Sequence, residues 1–395
     1  MKDSLSYVLV TPYTVAKSRT GGVVARLLSR LDLELAGIQM IAPDETFVRE
    51  YAKQIRAQAR PSDPGGTAAR LLAEYVEKNL YSGGRGHRTL LLIFRGKDPT
   101  VQLSRICGAL YSENRGVESI TGETIRDTYA DLIYSPDDPS QVSYFEPAVL
   151  TARSQETADE NLELFSRFLA GKDNVVHNVE YPDPSKIEQT LVIIKPDNWN
   201  YASSKPGTII DMFSRTGLRI VAIKLHRFSL SQALLFYGSV KETLKKKLAP
   251  GAGERAKELL EKEFNITLNP EAAKIIIEQF GTAYAEQQFS QIVGFMSGAT
   301  EETCLPKDRD KPGPVKCMLL LYEGEEAINK IREVLGPTDP LKAPGGTVRR
   351  DFGSNVMVNT AHASDSMENS RREQGIVKIN ENSLKAVIDE YLAGK

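Results

Sequence analysis

The chain has 395 residues, which exceeds one typical domain, and 41% of them are apolar, enough for more than one buried core. The net charge of −2 provides no bulk attraction for nucleic acid or anionic lipid, and no apolar run has the length of a membrane-spanning helix. Three widely spaced cysteines without a CxxC pair are typical of a reducing compartment. The first residues lack the long apolar stretch of a signal peptide. We therefore expect a cytoplasmic protein of two domains, without a membrane partner or a specific nucleic-acid partner.

In chain order, the elements of the first half return in the second half. The segment SYVLVTPY at 6–13 parallels TLVIIKPD at 190–197, each being a β-branched run followed by proline. The stretches at 22–40 and 207–225 then align without a gap, and both predict an amphipathic helix followed by a strand. These similarities indicate an internal repeat.

The repeat continues through the rest of each half. LLLIFRG at 90–96 parallels MLLLYEG at 318–324, and ETIRDTY at 123–129 parallels GTVRRDF at 346–352. Each half thus reads strand, helix, strand, helix, strand, helix, loop, strand, helix. This order predicts the α+β class, with two ferredoxin-like βαββαβ domains in which helices cover an antiparallel sheet.

Domain boundaries follow from a polar linker that contains two prolines. We place a first domain at 1–172, the linker at 173–187 and a second domain at 188–380, followed by a helical tail at 381–395.

The second domain contains an additional stretch at about 241–288. Four lysines occur within seven residues of it, and they are Lys241, Lys245, Lys246 and Lys247. We interpret this run as a solvated helix face followed by a loop around Pro250. The alternative is a basic lid over a phosphate site.

His362 follows the last predicted strand of the second half, and polar residues surround it in the sequence. Glu373 lies on the next predicted helix, from which a carboxylate could reach the imidazole, fix its tautomer and raise its nucleophilicity. A Ser-His-Asp hydrolase triad is disfavoured. Ser364 and Asp365 are too close to His362 in sequence to lie on opposite sides of its ring.

Cationic and hydroxyl side chains suited to phosphate also occur in this half. Arg332, Thr338 and Arg349 surround a loop rich in glycine and proline, and Lys195 ends the first strand. The chain has no GxxxxGK[ST] motif and no HRD or DFG motif, so the common nucleotide-binding folds lose support.

Four ordered motifs of the second half carry a resemblance to a known family. They are IKPD at 194–197, VLGPTDP at 334–340, PGGTVRRDF at 344–352, and N-x-x-H-x-SDS-x-E at 359–368. With them, residues 186–380 resemble the nucleoside diphosphate kinase family, apart from the stretch at 241–288.

The resemblance implies a role for each matching residue. It implies that His362 carries the phosphoryl group, and that Glu373 and Ser364 orient the imidazole. Further residues are implied to contact the phosphates (Arg332, Thr338, Arg349, Tyr237), the ribose hydroxyls and phosphates (Lys195, Asn359) and the base (Phe289, Val293, Val356). For Val293 and Val356, which are apolar residues in predicted elements, core positions are the favoured alternative. Nucleoside di- and triphosphates are the implied substrates, with Mg²⁺ bridging the phosphates, and the family assembles through dimers.

Two departures from the family pattern affect the loops around the site. Ala363 replaces the usual glycine after the histidine, and an additional glycine in Gly345-Gly346 lengthens the loop before Thr347.

The first half lacks the corresponding chemistry. Thr11 stands at the position of Lys195, and Leu150 stands at the position of His362. Arg126 survives at the position of Arg349, where we interpret it as a surface or ion-pair residue. We therefore expect a degenerate copy that acts as an intrachain pseudo-dimer partner, or a chain that forms homo-oligomers. A nucleotide-binding regulator or scaffold with little turnover is the alternative function.

Overall fold

The computed structural model describes residues 3–59, 67–83, 86–110, 122–138 and 142–395. The strands described in the first half are β1 (Ser4–Val10), β2 (Glu34–Ile41), β3 (Thr89–Gly96), β4 (Asp131–Tyr134), β5 (Val142–Glu146) and β6 (Val149–Thr151). Its described helices are α1 (Pro12–Ala16), α2 (Thr20–Arg30), α3 (Glu45–Ala57), α4 (Thr67–Asn79), α5 (Pro99–Cys107), α6 (Ile125–Tyr129) and α7 (Gln155–Leu169).

The second half continues with strands β7 (Ile187–Ile194), β8 (Arg219–His226), β9 (Cys317–Glu325) and β10 (Ala361–Ala363). Its helices are α8 (Lys205–Ser214), α9 (Leu230–Phe264), α10 (Pro270–Ser297), α11 (Ala327–Leu335), α12 (Val348–Phe352), α13 (Met367–Ile376) and α14 (Ser383–Ala393).

The two halves contain four-stranded sheets with the same strand order. That order is β2-β3-β1-β6 in the first half and β8-β9-β7-β10 in the second. β1 is antiparallel to β3 and β6, and β7 is antiparallel to β9 and β10. The α+β class and the ferredoxin-like arrangement predicted from the sequence are confirmed. The first half adds a β4–β5 hairpin before its last strand, which the sequence analysis did not foresee.

Sheet register and backbone conformation also coincide between the halves. Leu150 pairs with Leu9, and His362 pairs with Ile193, so the last strands are in the same register. The residue two positions earlier has a left-handed backbone in both halves, with φ of 59° at Ala148 and 75° at Thr360. A β-branched threonine in this region costs on the order of 1–3 kcal/mol, so the surrounding contacts must hold it there.

Strand β1 is mainly apolar and is buried from Leu5 to Val10, because both faces of its sheet are covered. Val8 and Val10 belong to one core cluster, whereas Leu5, Tyr7 and Leu9 belong to a second cluster on the opposite face. Alternation along the strand sends successive side chains to these two cores. The first core also includes residues of the second half, so the halves share apolar burial.

Close packing of α2 against α8 depends on two glycines. A Cβ added at Gly21 would lie 2.4 Å from the backbone N of Asp211, and one at Gly207 would lie 2.1 Å from the backbone N of Ala25. Backbone atoms cannot move aside as the end of a flexible side chain can. The missing side chains therefore set the distance between the two helices.

The C-terminal helix α14 packs on the first half. Leu384 and Ile388 are buried in the second core cluster of that half. The Tyr391 hydroxyl donates to the Asp159 carboxylate at 2.9 Å, and Asp389 accepts from Ser166. The chain thus returns from the second sheet to the surface of the first domain.

A second compact unit comprises His226–Cys317 and Gly375–Val377, and it consists mainly of α9 and α10. Gly253 and Gly281 allow close packing, since an added Cβ would lie 2.2 Å from the carbonyl oxygen of Ile277 or Ala249, respectively. The loop predicted around Pro250 was wrong, because Pro250 lies inside α9. The proline removes one backbone hydrogen bond from this helix. None of the described helices is long and apolar enough to cross a membrane.

We predict that Gly21→Ala forces α2 and α8 apart and lowers the free energy of unfolding by about 1–3 kcal/mol, as overpacking does elsewhere. Urea denaturation measures this change. Gly251→Ala is the matched control, because nothing lies within 4 Å of its added Cβ. Helix propensity should make that control neutral or more stable by up to about 1 kcal/mol. Equal stability of the two variants would contradict the prediction.

Candidate functional site

His362 lies on β10 with a carboxylate on one side of its ring. Its Nε2 is 3.0 Å from Oε2 of Glu373, a residue of α13. The Ser364 hydroxyl donates to the same Oε2 at 2.6 Å. Glu373 is 4% exposed, so these contacts are shielded from water, whereas the His362 side chain is 22% exposed. The structure thus brings together the three residues predicted to form the catalytic group.

The contact with a carboxylate assigns the ring proton to one nitrogen, because a carboxylate oxygen only accepts hydrogen bonds. Oε2 of an ionised Glu373 accepts from Ser364, so the Nε2 of His362 must be its second donor. The lone pair is then on Nδ1, on the other side of the ring. A histidine held in this tautomer can act as a nucleophile through Nδ1.

Lys195 and Asn359 form a buried pair beside this strand. Nζ of Lys195 donates to Oδ1 of Asn359 at 2.6 Å and is 3.3 Å from the carbonyl oxygen of Met357. Burial lowers the pKa of Lys195 to about 8, and the nearby Arg349 guanidinium acts in the same direction. The amide of Asn359 donates to the carbonyl oxygens of Thr338 and Val356, so it joins two loops to the lysine.

Arg349 ties the loop after α11 to the last strand. Its Nη1 donates to the carbonyl oxygen of Gly336 at 3.0 Å, and its Nη2 donates to that of Ala361 at 3.1 Å. Arg332 and Thr338 are both exposed. The pKa of Asp365 is lowered mainly by a hydrogen bond from Asn369, and the charge of Arg332 acts in the same direction.

The residues predicted to contact the base differ in their surroundings. Val356 is 57% exposed, so it is not a core residue. Phe289 and Val293 are buried within the helical unit, 6% and 1% exposed, and Lys241 Nζ lies 5.7 Å from the Phe289 ring centroid. Tyr237 belongs to the same unit, with its ring centroid 5.0 Å from that of Phe236.

The lysine run at 241–247 lies along α9. Lys245 forms a salt bridge with Glu286 at 3.1 Å, and Lys246 and Lys247 are exposed. These contacts are those of a solvated helix face, in agreement with the first interpretation of the run.

Asn198 was missed in the sequence. Its side chain donates to the carbonyl oxygens of Lys195 and Thr360 at 2.9 and 2.8 Å, and it is 3% exposed. It therefore holds the end of β7 beside the left-handed residue that precedes His362. In the sequence, the only signal was a polar residue directly after the IKPD motif. Its hydrogen-bond partners could not be predicted from residue spacing.

Arg126 does not have the role predicted for it. Instead of a surface or ion-pair contact, it donates to the carbonyl oxygens of Gly108 and Val149, the positions equivalent to Gly336 and Ala361. Burial lowers its pKa. The two arginines thus make the same backbone contacts in their respective halves, a structural function that requires no phosphate.

The second half matches a family of known enzymes. The family model for nucleoside diphosphate kinase matches residues 188–247 and 259–381. The nucleoside diphosphate kinase of Halorhodospira halophila is 32% identical over 187 residues, which are 47% of this chain and 89% of that protein. That of Nitratiruptor sp. is also 32% identical over 187 residues, covering 92% of its length. A solved NDP kinase from Pyrobaculum aerophilum aligns with 49% of this chain and 100% of its own, at 26% identity and a TM-score of 0.33.

A histidine oriented by a carboxylate, with cations on the same domain, defines a site suited to group transfer. The chain belongs to the nucleoside diphosphate kinase family, and the match lies in its second half. The break in the match, between residues 247 and 259, falls inside α9.

We predict that Lys195 makes stability depend on pH in the alkaline range. Its folded-state pKa is about 8, whereas an unfolded lysine titrates near ~10.4, so the unfolded chain binds more protons between these values. The free energy of unfolding should rise through this window by on the order of 3 kcal/mol from this residue.

Lys195→Met should lack this rise, as measured by urea denaturation at pH 7 and pH 10. Lys342→Met, at a lysine whose side chain is 81% exposed, is the control. If the wild type and Lys195→Met showed the same change between the two pH values, the burial of a charged lysine would be refuted.

Proposed function

We propose that residues 188–381 transfer the γ-phosphoryl group of a nucleoside triphosphate to a nucleoside diphosphate in two steps through phospho-His362. The observation that carries this proposal is the contact of His362 Nε2 with Glu373, itself bonded to Ser364. The family match supports the kinase class, because the matched relatives are named nucleoside diphosphate kinases and the match covers most of their length.

In the first step, the Nδ1 lone pair of His362 attacks the γ-phosphorus, and the bond to the bridging oxygen breaks. The diphosphate leaves with the electron pair of that bond. Nε2–H remains donated to Glu373, which stabilises the positive charge that develops on the ring. In the second step, a β-phosphate oxygen of another diphosphate attacks the phosphorus, the N–P bond breaks, and His362 is regenerated.

Cationic side chains compensate the phosphate charge in this proposal. Arg332 and Arg349 lie on α11 and α12, and Thr338 lies on the loop between them. Lys195 and Asn359 would hydrogen-bond the ribose hydroxyls and phosphates, and Tyr237 would place its hydroxyl near the transferred group. Phe289, Val293 and Val356 would contact the base. Such stacking and apolar contacts depend on the shape of the base and not on its hydrogen-bonding groups.

Mg²⁺ would enter as the complex with the triphosphate and neutralise charge on its oxygens. The described residues contain no group of three His, Cys, Asp or Glu side chains placed to hold a metal ion. Phosphate oxygens and water would therefore supply the ligands.

We further infer that the first half is a degenerate copy acting as an intrachain pseudo-dimer partner. Leu150 stands at the nucleophile position and is 2% exposed. Shared burial across α2 and α8, and the docking of α14, support a structural role. A cytoplasmic location stays a prediction.

We predict that incubation with labelled Mg-ATP gives a base-stable, acid-labile phosphate on the protein. His362→Asn should lose both this label and the exchange of phosphate between ATP and a second diphosphate, because no other residue would supply the nucleophile. Full exchange activity in that variant would sink the proposal. Nucleotide binding by the wild type without any phosphohistidine would instead identify a regulator or scaffold.

We predict that Glu373→Gln slows phosphorylation of His362 by on the order of 10²- to 10⁴-fold, since the carboxylate that orients and stabilises the imidazole is lost. Rapid-quench measurement of the first step gives the rate directly. Glu381→Gln is the control, because Glu381 is an exposed glutamate paired only with the Lys378 side chain among the ion pairs described. An unchanged rate in Glu373→Gln would show that the contact is not used in the reaction.

A further inference from the structure

A cavity of about 430 Å³ lies in the first half, away from His362. It is bordered by residues at the start of α1, on α4 and along β5, including Tyr13, Tyr75 and Tyr144. Its volume lies within the range of ~300–1,000 Å³ typical of small-ligand sites. Aromatic walls favour a planar ring, because stacking and edge contacts add to simple burial.

A carboxylate held by hydrogen bonds forms another part of the wall. Oε1 of Glu146 accepts from the Thr11 hydroxyl at 2.7 Å and from the Ala148 N–H at 3.0 Å, and Oε2 accepts from the Tyr75 hydroxyl at 2.6 Å. Glu146 is 2% exposed. An ionised carboxylate has about four acceptor positions, so these three bonds leave capacity for one donor from a ligand.

The second half shows what has changed at this place. The Thr11 N–H donates to the Ala148 carbonyl, as the Lys195 N–H donates to that of Thr360, both at 3.0 Å. The backbone is therefore the same, but a hydroxyl tied to a carboxylate replaces an ammonium tied to an amide. The equivalent arginine, Arg126, donates to backbone carbonyls.

Charge at this end of the cavity consequently opposes phosphate. Burial raises the pKa of Glu146, whereas the hydrogen bonds from Tyr75, Thr11 and Ala148 favour its ionised form. In that form Glu146 would repel a phosphate placed where Lys195 would attract one. Lys78 and Glu74 also border the cavity, and their opposite signs give no net preference for a charged ligand. The remaining features are aromatic faces and an acceptor, which suit an uncharged ring bearing N–H or O–H donors.

We propose that the cavity bordered by Tyr13, Tyr75, Tyr144 and Glu146 binds an uncharged nucleoside and excludes nucleotides. The ring packs among the tyrosines, and a hydroxyl or amino group of the nucleoside donates to Glu146. The site does not require turnover at His362.

The test is photolabelling of the full chain with 8-azidoadenosine, followed by mapping of the modified peptides. We expect an adduct within residues 67–83 or 142–146. Adenosine should protect these peptides at concentrations about tenfold or more below those of ADP. Because protection is read at these peptides, occupancy of the second half does not interfere.

Two variants test the wall residues. Tyr144→Ala should lower the adduct yield at these peptides about fivefold or more, since the stacking surface is lost. Tyr144 is 42% exposed, so its removal leaves the core intact. Tyr201→Ala, at a tyrosine that is 85% exposed and does not border the cavity, is the matched control and should leave this adduct unchanged. Glu146→Gln retains an acceptor oxygen and should reduce the preference for adenosine over ADP.

Adducts confined to residues 188–381, or equal protection by adenosine and ADP, would overturn the proposal. An unchanged preference in Glu146→Gln would overturn the role of the carboxylate. Phosphohistidine formation, measured on the same samples, reports the second half separately, so failure of the nucleoside site and failure of phosphoryl transfer are distinguishable.

Discussion

The contact of one arginine with two backbone carbonyls holds the last strand of each sheet in place. Arg349 joins Gly336 to Ala361, and Arg126 joins Gly108 to Val149. Hydrogen bonds from a charged donor contribute about 1.5–3 kcal/mol each, and a buried carbonyl without a donor would cost a similar amount. Thr360, two residues before His362, can therefore keep a left-handed backbone that local preferences oppose. The backbone position of His362 depends on this anchoring.

The same framework supports different chemistry in the two halves. At the strand position where the second half has His362, the first half has a buried leucine, and where the second has Lys195 the first has Thr11. Leu150 is buried among apolar side chains, whereas His362 contacts the Glu373 carboxylate, which also accepts a hydrogen bond from Ser364. Burial of Lys195 lowers its pKa, so the charged form of this lysine reduces the stability of the fold. The first half has no lysine at this position, but it buries Glu146, and burial raises the pKa of that carboxyl, so a desolvation cost is present there too.

Much of the architecture could be predicted from the sequence because it rests on local periodicity. The paired segments at 22–40 and 207–225 gave helix and strand in the right order, since apolar spacing reports which face is buried. The loop around Pro250 failed for the opposite reason. A proline followed by glycine predicts a break, but the packing of Gly253 against Ile277 in α10 keeps the helix continuous. The β4–β5 hairpin likewise escaped notice, because its strands are short and partly exposed.

The sequence by itself predicted an internal repeat and identified the ordered motifs around one histidine, since both inferences use only the identity and order of residues. Tertiary structure alone decided which partners those residues have. Asn198 and Arg126 proved to hold the backbone, Lys195 proved to be buried against Asn359, and the first half proved to retain a cavity with an acidic wall. Burial and hydrogen bonding join residues that are distant in the chain, and desolvation depends on all the neighbours together. No spacing rule contains that information.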